Sequence, residues 1–157
     1  LGEVGKGYKV AIETLNEGRI GIGAQMIGLA KGALDCAVSY TKERKQFGKA
    51  IAEFQLVQAM LADSQAELYA ARCIVHDAAR RRDDGRSVST EASCAKMFAS
   101  EAAMRGTIKA VQIFGGYGYT QEYPAERFMR DAKLCEIGEG TSEVQRIIIS
   151  RKLIRGY

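Results

Sequence analysis

The sequence predicts an all-α fold, most simply an up-down four-helix bundle. Three observations support this prediction: apolar residues recur three and four positions apart over long stretches, the 157 residues include one proline, and no long stretch alternates with period two. Proline removes a backbone donor and clashes with the preceding helical turn, so its scarcity permits long helices. The length suits a single domain over residues 1–157.

The first helix is predicted from about Tyr8 to at most Lys45. Its apolar face recurs at steps of three, four and seven and consists of Leu15, Ile22, Met26, Leu29, Ala33, Cys36 and Tyr40. The helix also contains five glycines, Gly18, Gly21, Gly23, Gly28 and Gly32. Each glycine costs roughly 1 kcal/mol relative to alanine. They therefore indicate close approach by another part of the chain or by a ligand, or a bend near Gly18.

The second and third helices are predicted on either side of a turn at Gly85. The second starts near Glu53 and places Phe54, Val57, Leu61, Leu68 and Val75 on one face. Gly85 can take the left-handed conformation that ends a helix. The third helix follows a cap at Ser89 or Thr90. Its inner face is made of small residues, Ala92, Ala95, Ala99, Ala102, Gly106 and Ala110, followed by Ile113, which permits close helix packing.

The last third of the sequence predicts a glycine-rich loop and two further helices. The loop covers Phe114 to Tyr119. Pro124 stands at the first turn of a short helix over about Ala125–Lys133, where its missing N–H does no harm. The last helix begins at Glu139-Gly140-Thr141-Ser142, and Ser142 with Gln145 has the spacing of a capping box.

The composition excludes several classes of function. A net charge of +4 is spread along the chain, with one dense run at Arg80–Arg82. Nucleic-acid-binding proteins concentrate their positive charge more strongly, so we expect no nucleic-acid partner and interpret the run as a solvated helix end. No apolar run is long enough to span a membrane. One histidine argues against His-rich metal sites and nucleophilic triads. Four widely separated cysteines predict reduced, buried thiols.

Two segments are candidates for chemistry. The glycines in Gly115–Tyr119 would let backbone N–H groups approach a phosphate, although a simple turn between helices explains the same residues. Glu139 stands just before the last helix, whose positive end faces a carboxylate there. Its charge either compensates the helix dipole or belongs to a general base in a partly dry pocket. The residue pattern leaves both alternatives open.

Taken together, six motifs resemble the C-terminal helical domain of acyl-CoA dehydrogenases of the short-chain and short/branched-chain types. In order, they are Asn16–Ile22, Lys42–Lys49, Phe54-Gln55, Gln112–Tyr119, Arg130–Lys133 and Glu139–Glu143. The resemblance covers essentially the whole chain. It implies an FAD-dependent conversion of an acyl-CoA to a trans-2-enoyl-CoA, in which a glutamate removes the α proton and the β hydrogen leaves as hydride.

The same resemblance assigns roles to individual residues. Glu139 matches the catalytic base. Thr141, Ser142 and Glu143 match positions beside the flavin. Positions that reach an FAD held mainly by a neighbouring subunit are matched by Arg44, Gln55, Gln112, Ile113, Phe114, Gly115 and Gly116. Positions that line the acyl-CoA site are matched by Tyr8, Asn16, Glu17, Gly18, Arg19 and Gly140.

Two departures from the family pattern concern the base and the substrate. Many relatives have tyrosine where this chain has Gly138, and Glu136–Gly138 resembles isovaleryl-type enzymes. In those enzymes the base lies on the first long helix, at the position of Glu17. Since this chain carries both carboxylates, we assign the base to Glu139 and expect Glu17 to be a polar residue of the substrate pocket. Gly138 leaves more room beside the acyl chain, which favours a branched or wider substrate.

The resemblance also implies partners and a missing remainder. Family members carry an N-terminal helical domain and a middle β-domain that supply much of the flavin and CoA contact, and neither is found here. We therefore expect the isolated chain to be inactive. Self-association into a dimer or tetramer and electron transfer to electron-transferring flavoprotein are expected. The compartment would be the bacterial cytoplasm or the mitochondrial matrix. The alternative is a non-catalytic bundle for oligomerisation or binding.

Overall fold

A computed structural model describes residues 2–156 of the chain and confirms the all-α prediction. The described elements follow the sequence as five helices and one minimal hairpin. They are α1 (Gly7–Glu43), β1 (Lys45–Gln46), β2 (Lys49–Ala50), α2 (Gln55–Asp83), α3 (Ser89–Phe114), α4 (Ala125–Ile137) and α5 (Ser142–Arg155). Short 3₁₀ helices cover Ile51–Glu53 and Gly115–Tyr119. β1 and β2 pair antiparallel, with Lys45 opposite Ala50.

Helix α3 lies at the centre of the domain and contacts α1, α2, α4 and α5. The alanines of its predicted small-residue face are buried, with Ala92 and Ala95 fully enclosed, while Gly106 is half-buried. One apolar cluster joins Met26 of α1 and Val75 of α2 to this face. Since alanine side chains keep the helix axes close, α1 and α4 pack directly on α3.

The second apolar cluster lies where the C-terminal ends of α1 and α3 meet the start of α4. It is formed by Ala33, Ala37, Ala110, Ile113, Phe114 and Ala125. The ring of Tyr40 stacks on that of Phe114, with centroids 4.2 Å apart. These contacts fix the end of α1 against the glycine-rich segment and so position the cavity described below.

Some glycines of α1 allow close approach by other elements, and the helix continues through Gly18 without interruption. A Cβ atom at residue 18 would lie 2.8 Å from a carboxylate oxygen of Glu139, and one at residue 23 would lie 2.9 Å from Val75. At residue 32 the nearest atom would be a ring carbon of Phe128, at 3.2 Å. Nothing lies within 4 Å of such an atom at Gly21 or Gly28. Close contact therefore explains three of the five glycines.

Several local predictions are wrong at element ends. Helix α4 continues past Lys133 to Ile137. Val88 precedes the first residue of α3, and no side chain caps that helix. Thr141, rather than Ser142, caps α5: its hydroxyl oxygen accepts a hydrogen bond from the backbone N–H of Val144 at 3.3 Å. The capping box predicted for Ser142 and Gln145 is therefore absent, and the amide of Gln145 is directed elsewhere.

The cysteine and charge predictions are partly confirmed. All four cysteines are free and lie within helices, and Cys135 is buried. Cys73 is exposed, contrary to the prediction of buried thiols, because it lies on the outer face of α2. The run Arg80–Arg82 forms the last turn of α2, as expected for cations at a helix C-terminus.

Candidate active site and cofactor-binding cavity

Glu139 lies in the turn between α4 and α5, in a conformation that is unusual for a residue with a side chain. Its φ is +56°, and that of Gly140 is +89°. The left-handed region costs roughly 1–2 kcal/mol for an L-residue with a Cβ atom. A non-glycine residue held there at a turn is typical of functional sites, where the surrounding structure maintains the conformation. The turn therefore marks Glu139 as a candidate site residue independently of its position before a helix.

The carboxylate of Glu139 lies against α1 at Gly18. The three atoms nearest to a Cβ atom built at that glycine, outside the local backbone of α1, are the two carboxylate oxygens and the carboxyl carbon of Glu139. The guanidinium of the next residue, Arg19, is within electrostatic range of the same carboxylate. The structure thus brings together three residues that the sequence analysis placed in one active site, namely Gly18, Arg19 and Glu139.

Arg19 contributes a buried positive charge to this group. It is only 5% exposed, and its Nη1 atom donates a hydrogen bond to the side-chain oxygen of Asn16 at 2.7 Å. Burial lowers the pKa of Arg19, and the negative charge of Glu139 acts in the opposite direction. Its Nε atom is buried without a hydrogen-bond partner. At least one N–H group of Arg19 therefore has no acceptor within residues 2–156.

Glu17, the alternative base, is directed away from this group. Its carboxylate forms an ion pair with the guanidinium of Arg82, which lies in the last turn of α2. The hydrogen bond and charge of Glu17 raise the pKa of Arg82. Glu17 is therefore engaged by a cation at the domain surface, and its assignment to the substrate pocket stays a prediction. Tyr8 lies exposed in the first turn of α1, about 15 Å along the helix axis from Gly18 at 1.5 Å per residue.

The start of α5 provides the three residues assigned to the flavin. The side chain of Ser142 is buried, and its hydroxyl has no partner within the described chain. Glu143 is exposed, and hydrogen bonds from its own backbone N–H and from Thr141 lower its pKa. An unused buried hydroxyl beside a helix N-terminus suits a polar or anionic group. These residues fit the edge of a polar cofactor ring, and Glu143 stays ionised at neutral pH.

Gly140 faces the inside of the domain rather than a ligand site. A Cβ atom at this position would lie 2.8 Å from the amide nitrogen of Gln145. Its carbonyl oxygen accepts hydrogen bonds from that amide at 3.0 Å and from Nζ of Lys96 at 2.7 Å. The structure therefore gives Gly140 a role in the turn itself, while its assignment to the substrate site stays a prediction.

A second group of predicted residues lines a cavity of about 490 Å³ at the C-terminal end of α1. The cavity is lined by Tyr40, Arg44, Gln46, Ile51, Ile113, Phe114, Gly115, Gly116, Tyr117 and Thr120. Five of the seven residues assigned to a neighbouring subunit's FAD are among them. Gln55 and Gln112 are exposed and do not line this cavity. Their assignment stays a prediction.

The chemistry of this cavity fits a dinucleotide. Arg44 is half-buried and its guanidinium lies 5.5 Å from the centroid of the Tyr117 ring, which holds a positive charge at the cavity wall. Gly115 has a φ of +62°, and no atom lies within 4 Å of a Cβ position at Gly115 or Gly116. Open backbone at two glycines next to an arginine is suited to a pyrophosphate, and the aromatic rings are suited to stacking. Both features match the requirements of FAD.

Sequence reasoning missed half of the cavity lining. Tyr40, Gln46, Ile51, Tyr117 and Thr120 line the cavity without a role of their own in the predictions, although Tyr117 lies in the candidate segment Gly115–Tyr119. Tyr40 follows the helical apolar pattern and was therefore interpreted as core. Gln46 precedes the hairpin turn at Phe47-Gly48. The break in the helical pattern at this glycine was a signal in the sequence that a turn lies there.

The two groups of site residues are far apart along α1. Gly18 and Arg44 are separated by 26 residues, which corresponds to about 39 Å at 1.5 Å per residue. Within residues 2–156, no cluster of potential metal ligands is present. No helix in the same range has the length and hydropathy needed to cross a membrane.

Comparison with known proteins identifies relatives of this arrangement. The family model described as acyl-CoA dehydrogenase, C-terminal domain, matches residues 5–154. The probable acyl-CoA dehydrogenase FadE25 of Mycobacterium tuberculosis is 51% identical over 99% of this chain and 40% of its own length. The three-dimensional structure of butyryl-CoA dehydrogenase from Megasphaera elsdenii superimposes with a TM-score of 0.97 at 50% identity, covering 99% of this chain and 40% of that one.

A third relative is named as part of a larger assembly. The caffeyl-CoA reductase–Etf complex subunit CarC of Acetobacterium woodii is 50% identical over 99% of this chain and 41% of its own length. The chain thus spans about two fifths of the length of the curated relatives it matches.

Proposed function

The chain belongs to the acyl-CoA dehydrogenase family as its C-terminal domain, and from that premise we propose that it supplies the catalytic base of an enzyme that oxidises short or branched acyl-CoA thioesters to trans-2-enoyl-CoA. Glu139 is the residue that removes the proton. The observation that carries this assignment is its left-handed turn, which sets the carboxylate against Gly18 and near the buried charge of Arg19.

In the proposed reaction the acyl-CoA loses two protons and two electrons, as one proton and one hydride. The carboxylate of Glu139 accepts the proton from carbon α, the C–H electron pair forms the new double bond, and hydrogen leaves carbon β as hydride. FAD, when bound, supplies the hydride acceptor. A carboxylate held in a fixed position performs proton transfer efficiently because the base already lies within reach of the substrate.

The two groups of site residues support an assembly of several subunits. Thr141, Ser142 and Glu143 would contact the flavin beside Glu139, and the cavity at Arg44 would contact a second FAD held mainly by a neighbouring subunit. A separation of about 39 Å along α1 supports this division between two cofactors. In addition, α4 and α5 expose apolar side chains, including Leu134 at 67% and Ile154 at 84%, which are suited to burial in a dimer or tetramer.

The electron acceptor and substrate class are also proposals. We infer that electron-transferring flavoprotein reoxidises the flavin, and the description of CarC as a subunit of an Etf complex supports this. Gly138, at the end of α4, adds no side chain beside Glu139, which favours a branched or wider acyl group. Four free cysteines suit a reducing compartment, either the bacterial cytoplasm or the mitochondrial matrix.

The test compares two carboxylate variants in the full-length protein that contains this domain. Glu139→Gln should lower kcat with butyryl-, isobutyryl-, 2-methylbutyryl- or isovaleryl-CoA by about 100-fold or more, with flavin content retained. Glu17→Gln is the matched control and should change kcat by less than about tenfold. Strong loss in the Glu17 variant with unaffected turnover in the Glu139 variant would move the base to α1.

The isolated chain should not turn over any of these substrates and should bind FAD weakly, since most of the cofactor contacts would come from other domains and subunits. Fluorescence titration with FAD and assays with the four thioesters test this directly. Turnover by residues 1–157 alone would refute it. A full-length protein without dehydrogenase activity that still assembles through this domain would instead support a non-catalytic oligomerisation module.

A further inference from the structure

The turn that carries Glu139 is held from inside the domain by two buried side chains. Nζ of Lys96 on α3 donates hydrogen bonds to the carbonyl oxygens of Glu136 at 3.3 Å and Gly140 at 2.7 Å. The side-chain amide of Gln145 on α5 donates to the carbonyls of Glu139 at 3.2 Å and Gly140 at 3.0 Å. Three carbonyls of the turn therefore face inward, which leaves the side chain of Glu139 facing outward against Gly18.

Lys96 is a costly residue to place at this position. It has no exposed surface, although lysine is among the side chains that are almost never fully buried without a partner. Burial lowers its pKa, and the positive charge of Arg19 on α1 acts in the same direction. Cys135 and Glu136 on α4 and Glu143 on α5 oppose that shift. None of these acidic groups forms a salt bridge with the ammonium, so its hydrogen bonds go to the backbone of the turn.

The position of those hydrogen bonds distinguishes Lys96 from an ordinary helix cap. Its two acceptors lie on either side of Glu139, one in the last turn of α4 and one in the loop. Hydrogen bonds from a charged donor are about twice as strong as neutral ones. A single ammonium group thus joins the last turn of α4 to Gly140, and the left-handed residue Glu139 lies between these two acceptors. A residue with a Cβ atom does not readily adopt that conformation.

We propose that Lys96 is a positioning residue for Glu139, fixing the turn so that the carboxylate stays against Gly18 at the distance that proton transfer requires. This inference rests on the proposed role of Glu139 as the base. A displacement of about 1 Å in a catalytic group can lower a rate by about 100-fold. Loss of the Lys96 hydrogen bonds should therefore reduce the rate of proton removal far more than substrate binding.

The experiment uses the full-length holoenzyme with Lys96→Met, which keeps the side-chain length and removes the donors. Lys109→Met is the matched control, since Lys109 lies on the same helix and pairs with Asp63 and Glu67 at the surface. We expect Lys96→Met to lower kcat by about 10-fold to 100-fold with KM for butyryl-CoA changed less than about threefold. An α-deuterated substrate should show a larger isotope effect. Lys109→Met should match the wild type in each measurement.

A readout independent of turnover is hydrogen exchange measured by mass spectrometry on the peptide that spans residues 136–141. Exchange in this peptide should become faster in Lys96→Met and stay unchanged in Lys109→Met. If Lys96→Met does not fold, Lys96→Gln keeps an N–H donor group and serves in its place, with a smaller expected loss of kcat. Unchanged kcat in a Lys96 variant whose turn exchanges faster would overturn the proposal.

A double-mutant cycle separates positioning from general damage to the fold. In the Glu139→Gln background, Lys96→Met should leave the residual turnover unchanged within about twofold, because the group that Lys96 positions is already gone. An equal loss in both backgrounds would show that Lys96 acts on the whole domain and would overturn the inference. Full turnover in Glu139→Gln alone would refute the base assignment itself, and the inference with it.

Discussion

The carboxylate of Glu139 occupies the space that a side chain at Gly18 would fill, with Oε2 2.8 Å from the position of a Cβ atom. This contact joins the turn between α4 and α5 to the first third of α1, 121 residues away along the chain. Because the three atoms nearest to that position all belong to the carboxyl group of Glu139, the absence of a side chain at residue 18 makes room for the carboxylate.

Gly18→Ala should therefore raise stability and lower activity. Alanine in place of glycine within a helix stabilises it by about 1 kcal/mol, while the added methyl group displaces the Glu139 carboxylate. We expect kcat of the full-length enzyme to fall by about tenfold or more. Gly28→Ala is the control, since nothing lies within 4 Å of its Cβ position. In urea denaturation, Gly28→Ala should show a similar increase in the free energy of unfolding, and its kcat should not change. Equal activity of the two variants would contradict the role of the contact between Gly18 and Glu139.

Gly118→Ala should destabilise the domain. A Cβ atom at this buried position would lie 2.5 Å from the carbonyl oxygen of Val111 and 2.8 Å from Cβ of Phe114, and neither atom can move freely. Overpacking of this kind costs about 1–3 kcal/mol. Gly116→Ala, two residues away with open space around it, should cost less than about 1 kcal/mol. Thermal denaturation of the two variants measures the difference, and equal melting temperatures would show that the segment relaxes.

Phe47→Asn should stabilise the hairpin between β1 and β2. Phe47 and Gly48 form its two-residue turn with φ values of +52° and +81°, and Phe47 is 92% exposed. Asparagine followed by glycine is strongly preferred where both turn residues have positive φ. Relief of the left-handed strain should raise the free energy of unfolding by about 1 kcal/mol. Loss of the edge-to-face contact with Phe54, whose ring centroid lies 6.2 Å from that of Phe47, reduces this gain. A decrease in stability would show that this aromatic contact dominates.

The stability gained from Lys96 should increase with pH in the alkaline range. Burial lowers the pKa of its ammonium below the usual 10.5, so between the folded and unfolded values the unfolded chain binds more protons. Unfolding then becomes less favourable as pH rises through this interval. The free energy of unfolding of the Lys96 chain minus that of the Lys96→Met chain should therefore increase between neutral pH and pH 10. Both chains should carry Cys135→Ala, because that neighbouring thiol also titrates there. A flat difference would contradict the depressed pKa.

The helices could be predicted because their signals are local. The small-residue face of α3 follows directly from alanines at steps of three and four, and it is buried as expected. The sequence predicted that Gly18 allows close approach by another group, but it did not predict which group. Nothing near that residue in the sequence indicates Glu139 as the partner. Local periodicity therefore gave the elements, and the contacts between them required the structure.

Lys96 shows why the interior of the site could not be predicted. Its acceptors are carbonyl groups 40 and 44 residues away, and backbone carbonyls carry no side-chain signal. A lysine within a helical pattern is interpreted as solvent-facing, yet here it is fully enclosed. Ser142 presents a related case: its spacing from Gln145 suggested a cap, whereas the amide of Gln145 donates to the carbonyls of Glu139 and Gly140 in the preceding turn.

The length of α1 has a genetic consequence. Arg44 and Glu139 of one chain would serve different catalytic centres. A chain with an Arg44 defect impairs the neighbour's centre, and a chain with a Glu139 defect impairs its own. In a mixed dimer of Arg44→Ala and Glu139→Gln chains, one centre receives both lesions and the other receives none. Two alleles that are each defective alone should therefore complement one another when expressed in the same cell.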